Sequence, residues 1–172
     1  MSVYKLTGTA LLLAIALLCQ MIRLLLPVTP QVSMFFFGAI VNACMILATW
    51  KYGYKSGMVI ALVTPVIAFM QGMLPFIFFV PFVALGNVTY VLIAKILQNK
   101  TLVMCTAVGS IIKMATLFLG FTFLFKVLLN VFSAQIPIVV QNTIMLMMSW
   151  PQLVTSALGI LFATIVYRRL NT

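Results

Sequence analysis

Long apolar runs are the feature that most constrains the fold of this chain. Six such runs can be drawn between residues that interrupt helices or carry charge. They cover residues 8–26, 33–50, 56–72, 78–97, 102–126 and 147–167. A helix crosses a bilayer in about 20 residues, so each run is long enough to span one. We therefore predict an all-α fold, an integral membrane bundle of six transmembrane helices that forms a single domain over residues 1–172.

The composition agrees with this prediction. Apolar residues make up 65% of the chain and charged residues 6%, with a mean hydropathy of +1.29, which is far from the usage of soluble domains. Six spans leave no room for a separate soluble domain, so an ATPase or receptor domain must belong to another chain. The first run lacks a small-x-small cleavage site, and we expect it to remain as a spanning helix.

Asp, Glu and His are missing from the sequence. Their absence removes carboxylate acid/base pairs, the usual catalytic triads, histidine metal sites and carboxylate proton relays. Cys19, Cys44 and Cys105 lie in separate apolar runs without ligand spacing, which is typical of small buried hydrophobes. We therefore expect no enzymatic activity, no metal site and no cofactor.

The basic residues predict the orientation. If the N-terminus is cytoplasmic, seven of the ten cations lie at cytoplasmic ends of spans: Lys5, Lys51, Lys55, Lys95, Lys100, Arg168 and Arg169. Only Lys126 lies at an outer end, and segments rich in Lys and Arg stay in the cytoplasm. We predict that both termini are cytoplasmic. The net charge of +10 then reflects topology and attraction to anionic lipid headgroups, and a nucleic-acid partner is not expected.

Polar side chains inside the spans gather at middle and outer depth, and they are the candidate substrate-binding residues: Gln20, Arg23, Asn42, Gln71, Asn87, Tyr90, Lys113, Ser149, Trp150 and Gln152. A single amide or hydroxyl often forms only an interhelical hydrogen bond, worth about 0.6–2 kcal/mol. The two cations are more informative, because each costs about 2.5–3.5 kcal/mol at a helix centre and the chain has no carboxylate to pair with them.

Lys113 lies near mid-depth, which indicates a water-filled cavity or a bound anion. Arg23 either contributes to the same cavity or extends to the outer headgroups. Together the polar residues predict an outward-opening cavity for a small polar ligand with a planar part and a carboxylate.

Two further segments carry predictions. The first run repeats small residues at helical spacing, Ala10 and Ala14 with Ala16, and small side chains let another helix approach closely. Residues 127–146 are too polar to span and too apolar to be freely solvated. They predict either a lid over the outer mouth or a half-buried structural connection.

Several of these residues resemble a known family, the substrate-binding S components of energy-coupling factor (ECF) vitamin transporters. Residues 9–16, with Gln20 and Arg23, look like the first helix of that family. One branch of the family is similar at further positions, which are residues 41–43, 71–72, Pro81, 86–87, Tyr90, Lys113 and 149–155. The resemblance covers essentially the whole chain, and the segment 149–155 is its most specific part.

The resemblance implies a protein of the bacterial plasma membrane that captures a vitamin or related micronutrient from outside. It would dock on a transmembrane coupling subunit driven by two cytosolic ATPases, and topple in the membrane to release its substrate. Ala10 and Ala14 would face the coupling subunit, while residues 27–32 and the later helices would enclose the substrate. The lack of acidic residues departs from family sites that use a carboxylate.

Two other functions stay open at this point. A self-contained channel or secondary carrier ordinarily shows an internal repeat or a paired ionisable relay, and the sequence shows neither. In a structural subunit of a larger membrane complex, Arg23 and Lys113 would pair with carboxylates of a partner chain.

Overall fold

The chain folds into a bundle of helices. A computed structural model describes residues 2–25, 30–128 and 136–170. Within these residues no strand occurs, and the α-helices are α1 Val3–Leu25, α2 Pro30–Tyr52, α3 Tyr54–Met70, α4 Val80–Ile96, α5 Leu102–Phe123, α6 Ile138–Met147 and α7 Trp150–Arg169. A 3₁₀ turn, Ile77–Phe79, precedes α4, and a π-helical turn, Leu124–Leu128, continues α5. The predicted all-α fold is confirmed.

Most of the helices are long and apolar enough to cross a bilayer. Five segments of the described chain meet that criterion: Val3–Arg23, Val32–Tyr52, Ile77–Ile96, Leu102–Val127 and Ile138–Arg169. The remaining predicted span is α3, an apolar helix of 17 residues, which is at the lower end of the usual spanning length. The fold is therefore that of a multi-pass membrane bundle.

The segment before α7 differs from the prediction. Residues 127–146 were expected to form a connection, but Ile138–Met147 is helical and follows Pro137 directly. Proline fixes its own φ and lacks the N–H that a helix start leaves unpaired, so a helix can begin beside it. Residues 129–135, where the rest of the proposed lid falls, lie outside the described residues.

The connection after α1 is also shorter than predicted. Residues 27–32 were expected to link the first two spans, whereas α2 already begins at Pro30. Residues 26–29, which include the first half of the segment expected to enclose a substrate, lie outside the described part of the chain.

Helix α2 forms the centre of the bundle. It packs against α1, α3 and α7, and less extensively against α4. One core cluster surrounds α2 and includes Met45, Ile46, Ile60 and Tyr90. A second cluster, rich in phenylalanine, joins the 3₁₀ turn to α5 and α6 through Phe79, Phe121 and Ile144.

Most of the basic residues lie at one end of the bundle, which we call the basic end: Lys5, Lys51, Lys55, Lys95, Lys100, Arg168 and Arg169. Helix termini meet there through the rings of Tyr4 and Tyr52, with centroids 5.4 Å apart, and those of Trp50 and Tyr167, 5.7 Å apart. Gln98 Nε2 also donates to Trp50 O at 3.3 Å. The helices thus bring cations from four separate stretches of sequence to one side of the membrane bundle.

Candidate functional site

A cavity of about 180 Å³ opens between the helices in the half of the bundle away from the basic end. Its polar lining comes from α1, α2, α3, α4, α5 and α7: Gln20, Arg23, Asn42, Thr64, Asn87, Lys113, Gln152 and Thr155. Six of the ten predicted substrate-binding residues therefore line one cavity, although they are up to 132 positions apart in the sequence.

Lys113 and Asn42 lie deepest in this cavity. The Lys113 side chain is 3% exposed, and its Nζ donates a hydrogen bond to Asn42 Oδ1 at 2.5 Å. Nζ also lies 4.8 Å from the centroid of the Tyr90 ring, within the range of a cation–π contact. An ammonium group has three donors, so the carboxamide of Asn42 satisfies only part of its hydrogen-bonding capacity.

Helix α7 holds this pair in place. Tyr90 is fully buried and donates its hydroxyl to Ser156 O at 2.6 Å, which fixes the ring beneath Lys113. Asn42 packs directly against Gly159, where an added Cβ would lie 2.5 Å from Asn42 Cβ. The absence of a side chain at Gly159 lets α2 and α7 approach closely at the level of the cavity floor.

Carbonyl groups of α3 hold two amides on the opposite wall, and a proline frees one of these carbonyls. Pro65 lies inside α3, and because proline has no N–H, it leaves the carbonyl of Ala61 without its helical donor. Asn87 Nδ2 donates to that Ala61 oxygen at 3.4 Å. One turn further along α3, Gln20 Nε2 donates to Thr64 O at 3.3 Å.

The side chain of Gln20 places an unpaired hydrogen-bond acceptor inside the bundle, among the described residues. Its Oε1 atom is buried and has no hydrogen-bond partner in the described residues. A buried polar atom of this kind is normally satisfied by a ligand, an ion or a water. The amide is thus held by its nitrogen while its oxygen stays available to a donor.

Arg23 lies at the mouth of the cavity. Its Nε donates to Ser33 Oγ of α2 at 3.0 Å, and Nη1 is 4.0 Å from Met73 Sδ, just beyond α3. The guanidinium therefore points into the bundle, toward two neighbouring segments. Arg23 is thus one of the residues that line the cavity, and its contact with a substrate stays a prediction.

Four predicted site residues do not line the cavity. Tyr90 lies below it and contacts Lys113, as described above. Gln71 follows the end of α3, and its Oε1 atom is buried without a partner in the part of the chain that is described. Ser149 donates to Leu146 O at 2.6 Å in the turn before α7. Trp150 is 54% exposed and packs on Phe35, with ring centroids 5.6 Å apart.

Two of the three small residues predicted to form a docking face lie on the outer surface of α1. Ala10 and Ala14 are exposed, whereas Ala16 is fully buried against the core. Helix α1 packs against α2 and α3, which leaves the face with Ala10 and Ala14 accessible to another helix.

The cavity lining also contains residues that the sequence did not predict as site residues, Thr64, Thr155 and several methionines among them. Five thioether side chains surround the cavity: Met34, Met45, Met73, Met147 and Met148. They come from α2, from the segment after α3 and from the end of α6, so no local spacing relates them. Methionine is flexible and polarisable, and its sulfur makes favourable contacts with aromatic rings.

The arrangement can bind an anion but has no acid/base pair. Two cations at different depths, several amides and a soft apolar wall surround a space large enough for a small molecule. A multi-pass helical bundle with an internal polar cavity is the architecture of a membrane protein that binds and transports a small solute.

The comparison with known families agrees with this class. Residues 4–170 match the family model described as ECF transporter, substrate-specific component, so the chain belongs to this family. No curated protein and no solved structure matches the chain. S components bind small-molecule substrates and work with a membrane coupling subunit and ATPases. The chain is therefore a transport subunit and not an enzyme.

Proposed function

We propose that this S component captures a small anionic micronutrient of the vitamin type and delivers it to an ABC-type importer in the bacterial plasma membrane. The single observation that carries the proposal is the buried ammonium of Lys113 at the cavity floor, held by Asn42. A cation at that depth is costly, and no carboxylate exists in the chain to offset its charge. A carboxylate on the substrate would do so, with charge-assisted hydrogen bonds.

The charge distribution supports uptake from outside. With seven cations at the basic end, the positive-inside rule orients that end toward the cytoplasm. The cavity then opens toward the external face, and Arg23 lies nearest the entrance. An anionic solute would meet Arg23 first and Lys113 at the floor.

The size and lining of the cavity support a compact, flat substrate. A volume of about 180 Å³ slightly exceeds the roughly 150 Å³ of an engineered cavity that holds benzene. One ring with a carboxylate therefore fits. The five methionine sulfurs of the lining suit contact with an aromatic face.

The accessible face of α1 supports docking on a partner. Ala10 and Ala14 are exposed there, and small side chains permit close helix packing in a membrane. We propose this face as the contact with the transmembrane coupling subunit, which two separate cytosolic ATPase chains would drive.

Substrate binding to the purified chain tests the proposal. Mass spectrometry of co-purified small molecules should identify the ligand, and calorimetry should then measure its affinity for wild type and for Lys113→Met. Loss of a charged hydrogen-bond partner is worth about 1.5–3 kcal/mol, so we expect affinity to fall about 10- to 100-fold.

Lys126→Met is the matched control, because it removes one charge from an exposed position beyond the same helix. Its affinity should equal that of wild type. Equal affinities for all three proteins would refute the anionic substrate. A purified chain that binds no small molecule would instead favour the structural-subunit function.

A further inference from the structure

A second cavity lies at the basic end, far from the substrate cavity. It has a volume of about 440 Å³ and lies where α1 begins and α2 turns into α3. Its lining is polar and basic: Ser2, Lys5, Tyr52, Gly53, Tyr54, Lys55 and Ser56. None of these residues belongs to the substrate cavity.

The N-terminus of α3 opens into this cavity. Gly53 precedes the helix with φ 102°, a conformation that side-chain-bearing residues rarely adopt. Glycine offers no side-chain cap, and the first turn of α3 has no acidic residue. The first N–H groups of a helix carry partial positive charge. Those of Ser56 and Gly57 donate to Gly53 O at 3.0 and 3.4 Å, so the N–H groups of Tyr54 and Lys55 are the ones that make this end of α3 a favourable place for an anion.

Ser56 gives a second, independent indication of a ligand. Ser56 is one of the residues around the cavity and is 0% exposed, yet its Oγ has no hydrogen-bond partner within the described part of the chain. Thr9, Thr49 and Thr64 each donate to the carbonyl four residues earlier, whereas Thr106 and Ser110 share with Ser56 a buried hydroxyl without a partner in the described residues; of these three, only Ser56 borders this cavity. A buried hydroxyl without a partner indicates that an acceptor is supplied from outside the chain.

The surroundings favour a lipid phosphate as this acceptor. Lys5 and Lys55 add two positive charges, and no carboxylate in the chain neutralises them. Tyr52 and Tyr54 are the aromatic residues typical of a membrane–water interface. Exposed apolar side chains, Val3 on α1 among them, adjoin the cavity residues along the sequence and suit contact with acyl chains.

We propose that this cavity binds the headgroup phosphate of an anionic membrane phospholipid. The phosphate oxygens accept from the N–H groups at the start of α3 and from Ser56 Oγ, while Lys5 and Lys55 balance the charge. A zwitterionic headgroup binds more weakly, because its ammonium would lie close to the two lysines.

Native mass spectrometry of the full chain in detergent tests this site with phosphatidylglycerol and phosphatidylcholine as probes. Phosphatidylglycerol should bind about tenfold more tightly, and Lys5→Gln/Lys55→Gln should remove that preference. Ser56→Ala removes one hydrogen bond without changing charge and should weaken phosphatidylglycerol binding about threefold to fivefold.

Lys95→Gln/Lys100→Gln is the matched control, because it removes two charges from the same end of the bundle. It should change phosphatidylglycerol binding by less than about twofold. An equal loss in the control would overturn the proposal, since binding would then reflect only the general charge of the basic end.

Two further outcomes would also overturn the lipid assignment. If inorganic phosphate stabilises the protein as strongly as the anionic lipid does, the site takes a free phosphate. The second outcome has two parts: phosphatidylglycerol and phosphatidylcholine bind equally well, and the Lys5→Gln/Lys55→Gln variant does not assemble with the coupling subunit. In that case the cavity receives an acidic residue of that partner.

Discussion

Replacing Gly159 by alanine tests whether the contact between α2 and α7 fixes the floor of the substrate cavity. The added Cβ would lie 2.5 Å from Asn42 Cβ and 3.2 Å from both Asn42 C and Ala43 N. Non-bonded carbon atoms prefer a separation of about 3.5–4.0 Å. The two helices must therefore move apart by about 1 Å at this level, and two of the three close contacts involve backbone atoms that cannot rotate away.

This displacement has two measurable consequences. Overpacking of a core costs about 1–3 kcal/mol, and each kcal/mol corresponds to about 2–4 °C for a chain of this length. We expect the melting temperature of Gly159→Ala to fall by about 2–12 °C. A shift of about 1 Å also exceeds the range over which a hydrogen bond survives. Asn42 would then release Lys113, and substrate affinity should fall about fivefold.

Gly38→Ala is the matched control, measured by thermal unfolding of the purified chain. At Gly38 the added Cβ meets Thr155 Cγ2 at 3.4 Å and Thr155 Cβ at 3.7 Å, which is ordinary contact. Alanine also favours the helix over glycine by up to about 1 kcal/mol, so stability should be unchanged or higher. If Gly159→Ala unfolds at the wild-type temperature and binds substrate with wild-type affinity, close packing of α7 does not position Asn42.

Three further substitutions test other parts of the structure. Asn42→Asp would place a carboxylate beside the Lys113 ammonium and neutralise its charge, so calorimetry should show at least a tenfold loss of affinity for an anionic substrate. Unchanged affinity would contradict the anion site. Tyr90→Phe removes the hydrogen bond to Ser156 but keeps the ring. The free energy of unfolding should fall by about 1–2 kcal/mol, while the affinity for substrate changes less than twofold. A large loss of substrate affinity would place the hydroxyl in the binding site. Ala14→Trp should prevent co-purification with the coupling subunit while the isolated chain still binds substrate, and normal assembly would refute the proposed docking face.

The membrane architecture could be predicted because it depends on local properties of the chain. Hydropathy and length define a span without knowledge of its neighbours, and the fold contains helices at all six predicted positions. The segment of residues 127–146 was predicted less well. A segment of mixed polarity does not predict whether a helix forms, and the helix Ile138–Met147 is seen only in the structure.

The site was only partly predictable, because hydropathy does not determine how each helix is rotated about its axis. Successive residues advance by 100° on a helix, so Trp150 and Gln152 point in nearly opposite directions from α7. Sequence reasoning placed both in the site, whereas packing directs Gln152 into the cavity and leaves Trp150 exposed. The orientation of the methionines could not be predicted for the same reason, because the sequence does not distinguish a methionine that faces lipid from one that faces a ligand.

The need of Lys113 for a partner follows from the sequence, since a charge inside a span is costly and the chain has no carboxylate. The identity of that partner follows from the packing of the helices. Asn42 lies 71 positions away from Lys113 on another helix, and it contacts Lys113 because Gly159 lets α7 pack closely against α2. The cost of burying a charge is a property of one residue, whereas the geometry that offsets it depends on three helices packing together.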